Sequence, residues 1–107
     1  MTPENVNAVI DTVKGTVLPS ERIAMFNKAC AIDPHDTVVI EELSELIKAI
    51  SKINRCHNNK HLKSLMEEIA DVRIVIERIM RKYNIKEDDI DKLVVFKINR
   101  FIDRYGI

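Results

Sequence analysis

Six carboxylates of this 107-residue chain fall in two short strings that read almost alike. Residues 41–50 read EELSELIKAI, and residues 67–76, 26 positions later, read EEIADVRIVI. Glu42 and Glu45 stand three apart in the first string, as Glu68 and Asp71 do in the second. That spacing puts both acids of a pair on one side of a helix. Two such helices side by side bring four carboxylates to one place, which is what a hard divalent cation needs. A donor set of oxygen without His or Cys suits Mg²⁺, with Mn²⁺ as a substitute, better than zinc. On a helical wheel the acids flank the apolar stripe in both strings instead of lying on the solvated back. Like charges crowded beside packed surface are costly to ionise, and a divalent cation removes that cost. One E-x-x-E string is common on surface helices; the matched second copy is what points to a site.

The elements that must position these acids are helices. Gly15, Pro3, Pro19 and Pro34 all lie in the first third, and neither Gly nor Pro occurs from His35 to Tyr105. A stretch of that kind, rich in Leu, Ile, Glu and Lys, predicts long helices joined by short polar turns. Five are expected, at about 4–14, 21–32, 37–54, 60–83 and 87–105. Ser20 and Asp36 are the expected N-caps, and Gly15, Pro34 and Gly106 the stops. Val39, Leu43, Leu46, Ile47, Ile50 and Ile53 recur at helical spacing, as do Leu62, Leu65, Ile69, Val72, Ile76, Met80 and Tyr83. The short turn between these two helices implies an antiparallel hairpin in which the acid pairs meet near the middle. The expectation is one all-α domain over 1–107, a helical bundle built on that hairpin, small enough that oligomerisation aids stability.

Composition narrows the function classes. Lys+Arg and Asp+Glu are both 17, so the chain offers no electrostatic case for nucleic acid or a membrane surface. No apolar run approaches the roughly 20 residues of a membrane span. The N-terminal MTPENVNAVID does not read as a signal peptide, and Cys30 and Cys56 stand in no metal or redox spacing, so the expected setting is a reducing cytoplasm. Lys97, Arg100 and Arg104 recur at i, i+3 and i+7, a basic stripe suited to phosphate oxygens. His57 and His61 straddle the turn and read as turn residues rather than ligands. Tyr83, Phe96, Phe101 and Tyr105 read as core or interface, and Arg73, inside the apolar stripe, as an interface partner for an acid or a snorkelling surface residue.

The order E-x-x-E, then 22 residues, then E-x-x-D resembles the signature of the MazG-like all-α nucleoside triphosphate pyrophosphohydrolases. IEELSELIKAISK and EEIADVRIVIERI look especially like the short single-domain members from phages and Gram-positive bacteria, over about Val38 to the C-terminus. The resemblance implies a helical bundle acting as a homodimer or homotetramer, and hydrolysis of a nucleoside triphosphate to monophosphate and pyrophosphate in nucleotide-pool housekeeping. By position, Glu42, Glu45, Glu68 and Asp71 would hold Mg²⁺. Glu41 would orient or deprotonate the attacking water, with Glu67 its weaker counterpart. Lys97 and Arg100 match the K-x-x-R that the family often carries, with Arg104 one turn further on. Two other readings stay open. One is phosphoribosyl-ATP pyrophosphohydrolysis by the same chemistry, and the other a non-catalytic helical interaction module. A di-iron bundle needs Glu-x-x-His pairs, which are absent.

Overall fold

The computed structural model describes residues 6–13, 20–30 and 37–106. Five helices follow in order: α1 (Val6–Thr12), α2 (Ser20–Cys30), α3 (Thr37–Arg55), α4 (Asn59–Lys82) and α5 (Glu87–Tyr105). No strand occurs among the described residues. The all-α expectation holds, with helix ends close to those read from the sequence. Ser20 is the first helical residue of α2 and does not precede it as a cap. Gly15, Pro34 and Asp36 lie outside the described residues.

Local chemistry explains the boundaries of the long helices. α3 ends at a three-residue link, Cys56–Asn58, with neither Gly nor Pro. The N-cap of α4 is Asn58, whose Oδ1 accepts the His61 backbone N–H at 2.8 Å, satisfying one of the orphan donors of the first turn. Asn84 takes a left-handed backbone (φ 52), tolerable for Asn, and the Ile85 N–H donates to the Met80 carbonyl at 2.8 Å. This closure seals the last turn of α4 and turns the chain away from the helix axis. Glu87, Asp88 and Asp89 set negative charge at the positive end of α5. Gly106, at φ 67, ends α5 as the sequence implied.

α3 packs chiefly on α4, and α2 packs on α4 more lightly. The buried apolar residues are small: Val39 and Ala49 on α3, Val72 and Val75 on α4, and Val6 on α1. Leu46, Ile53, Leu65, Ile79 and Met80 are half-buried around them. The apolar stripes are wider than this contact. Leu43, Ile47 (66% exposed) and Ile50 of α3 and Leu62, Ile69 and Ile76 of α4, all expected in the core, are exposed. One helix neighbour covers only part of a stripe that wraps more than about 100° of a helix surface. α5 packs extensively on no other element and buries none of its residues. Tyr83, Phe96, Phe101 and Tyr105 are accordingly exposed and form no core within the chain. Among the described residues no helix is long and apolar enough to cross a membrane.

Candidate metal centre

α3 and α4 pack along the flank that carries Glu42 and Ala49 on one helix and Glu68, Val72 and Val75 on the other. Glu42 and Glu68 therefore point into the seam, and Asp71 follows Glu68 by three residues on the same side of α4. One carboxylate oxygen from each of Glu42, Glu68 and Asp71 lies within 4.8 Å of the other two. All three side chains are half-buried. Glu68 Oε2 is buried and accepts no hydrogen bond from any described residue. A buried anionic oxygen without a donor is costly, and a positive partner beside it would remove that cost.

The electrostatics agree. Burial pushes the Glu42 carboxyl above its ordinary 4.5, and Asp71, Glu41 and Glu45 push it further, with a hydrogen bond to Asp71 adding to the effect. Burial likewise raises Glu68, followed by the charges of Asp71, Glu42, Glu45 and Glu67. Each cause disfavours the charged form, and a cation placed among the oxygens would offset their sum. The donor set fits a hard ion. Oxygens sharing one Mg²⁺ lie at most about 4.2 Å apart, given bonds of ~2.1 Å. Three oxygens already within 4.8 Å need small rotations to reach that spacing.

The other acids stand at the rim. Glu45 is exposed, and its Oε1 pairs with Lys48 Nζ at 3.2 Å. Its charge still reaches Glu42 and Glu68. Glu41 is exposed and Glu67 half-buried. Lys97, Arg100 and Arg104 are exposed on α5, which the fold does not pack onto α3. The Arg100 guanidinium sits 5.9 Å from the centre of the Phe96 ring, a cation–π contact within its own helix. His61 Nδ1 lies 2.6 Å from the Cys56 carbonyl oxygen. A carbonyl only accepts, so this nitrogen carries a proton and donates, tying His61 to the turn.

Two features had no signal in the sequence reading. Arg78, 7% exposed, lies two turns beyond Asp71 on the same side of α4. An aliphatic groove of about 270 Å³ runs between α1 and α4, lined by Val6, Val9, Ile10, Met66 and Ala70 and bordered by Glu67 and Asp71. The short, weakly patterned α1 gave no reason to expect a wall there. No protein-family profile, curated protein or solved structure matches the chain.

Proposed function

We propose that this chain is a Mg²⁺-dependent nucleoside triphosphate pyrophosphohydrolase of the MazG-like kind its acid strings resemble. It would split a nucleoside triphosphate into the monophosphate and pyrophosphate. The observation that carries this reading is the convergence of Glu42, Glu68 and Asp71 around a buried carboxylate oxygen that has no donor. In this reading α3 and α4 form an antiparallel hairpin, supported by their packing and by the three-residue link between them.

Glu42, Glu68 and Asp71, with Glu45 beside them, would hold the ion. Bound there, Mg²⁺ supplies charge neutralisation on the phosphate oxygens and the leaving pyrophosphate, and acidifies water. Glu41, on the exposed side of α3, accepts the proton of the attacking water on a carboxylate oxygen. The groove beside Asp71 gives the base an aliphatic wall, and Lys97 and Arg100 meet phosphate oxygens in an assembled oligomer. Oligomerisation is supported by the apolar surface that α3, α4 and α5 leave uncovered.

The test is pyrophosphate release from a panel of ribo- and deoxyribonucleoside triphosphates, with phosphoribosyl-ATP included, in Mg²⁺ and in chelator. Mg²⁺-dependent release from a nucleoside triphosphate is the expected result. Release from phosphoribosyl-ATP alone would reassign the substrate, and no release from any compound would remove the enzymatic reading.

A further inference from the structure

The aliphatic groove between α1 and α4 opens onto the acid cluster. Asp71 belongs to both: it borders the groove, and one of its oxygens lies within 4.8 Å of those of Glu42 and Glu68. A molecule held by an ion at Asp71 therefore stands at the mouth of the groove. The volume, about 270 Å³, is near the lower end of the ~300–1,000 Å³ of small-ligand sites. Val9 and Ile10 of α1 face Met66 and Ala70 of α4 across it. Walls of this kind take the flat faces of a heterocycle and offer nothing to its polar edge.

The polar edge is supplied from one side. Among the described residues that line the groove, the polar ones are Glu67 and Asp71. They stand one helical turn apart on the same side of α4. Asp71 is engaged in the cluster by its hydrogen bond with Glu42. Glu67 is half-buried and makes no hydrogen bond or ion pair among the described residues. A carboxylate only accepts, and one left beside aliphatic carbon calls for a donor. The step from Asp71 to Glu67 is one that a ribose can bridge, with phosphate at the first and base at the second.

We propose that Glu67 selects the base. The groove takes a nucleobase with an exocyclic amino group, cytosine or adenine, and the amino N–H donates to the Glu67 carboxylate. Acidic side chains read the cytosine amino group by the same contact in nucleic acids. Uracil and hypoxanthine carry a carbonyl oxygen at that position, which sets acceptor against acceptor. The assignment rests on the pyrophosphohydrolase reading, in which the ion fixes the phosphates beside Asp71. It gives Glu67 a role different from that of a proton acceptor.

Cytidine and uridine triphosphates differ at that one position, as adenosine and inosine triphosphates do, so each pair tests the contact at constant size. In Mg²⁺, kcat/KM for the amino member exceeds that for the carbonyl member by about tenfold or more. Glu67→Gln, whose amide both donates and accepts, lowers the first and raises the second, and the ratio approaches one. Loss of a proton acceptor lowers both alike and keeps the ratio; that result overturns the proposal. Equal kcat/KM within both wild-type pairs also overturns it and leaves the pyrophosphohydrolase reading standing. Nucleoside binding separates the two from the other side. The Met66 methyl resonance, assigned with Met66→Leu, moves on titration of millimolar cytidine and moves less with uridine. A chain that shows this but releases no pyrophosphate keeps the base assignment and loses the enzymatic reading. Movement with butanol but with neither nucleoside gives the groove to an apolar ligand and overturns the proposal, as does no movement at all.

Discussion

α3 and α5 are equally long, both amphipathic and both rich in aliphatic residues, yet they end in opposite situations. α3 lays one flank on α4 and carries Glu42 into that seam, whereas α5 buries nothing. The difference lies in the connections. α3 and α4, joined by the short Cys56–Asn58 link, pack on each other, while α5, which follows the left-handed Asn84, packs extensively on neither. Helical apolar spacing gives the width of a stripe; how the helices are connected bears on how much of it the chain itself covers. The contrast also separates roles. The α3–α4 seam spends packing area on carboxylates, a cost that a structural seam has no reason to bear. α5 leaves its apolar side exposed.

Substitutions that separate the two regions should separate turnover from assembly. The largest effect falls in the seam. Glu42→Gln and Asp71→Asn each lower turnover about 100-fold or more while the helical signal is unchanged. Turnover that persists in both breaks the division. On α5, Lys97→Ala and Arg100→Ala sharpen it. If α5 reaches the partner's substrate, each raises KM several-fold, to about tenfold, with kcat held; unchanged kinetics confine α5 to contact. The link that folds α4 back is tested by Asn58→Ala. Loss of the cap costs about 1 kcal/mol, or roughly 4–8 °C in Tm, by thermal melts followed by circular dichroism.

The smallest effect is on pH dependence without metal. Glu42 and Glu68 bind protons more tightly in the folded chain than in an unfolded one. The stability they contribute is complete below about 4.5 and is lost as pH rises through their raised folded values. Metal-free Tm therefore falls from mildly acidic pH toward neutrality. Glu68→Gln removes its share of that loss, raising Tm at pH 7 and leaving it near wild type at pH 4. An equal shift at both pH values contradicts the electrostatic account of the seam.

Much of this was legible in the sequence. The absence of Gly and Pro from His35 to Tyr105 and the 3.6-residue repeat gave the three long helices nearly in place, because both are local signals. The acid strings gave Glu42, Glu68 and Asp71 as neighbours, because i, i+3 spacing on two adjacent helices fixes which side each acid occupies. What the repeat did not reveal is where each stripe divides into a packed and an exposed part. Leu43, one of the stripe residues expected in the core, lies on the exposed part, and Glu42, expected at the flank of the stripe, lies in the seam. That division depends on the angle at which α3 meets α4. The pairing of Glu45 with Lys48 was equally hidden, since it depends on side-chain rotamers that spacing does not fix. The burial of Arg78 depends on contacts distant in the chain, which periodicity does not encode.

The most direct test of the central claim, that Glu42, Glu68 and Asp71 form a divalent-ion site, is calorimetric titration of Mn²⁺ and Mg²⁺ into the metal-free protein, with and without a non-hydrolysable nucleoside triphosphate analogue. The account predicts saturable binding to the wild-type chain, strengthened by the nucleotide and abolished in Asp71→Asn and Glu68→Gln. No binding under either condition, or equal binding to the variants, would contradict it.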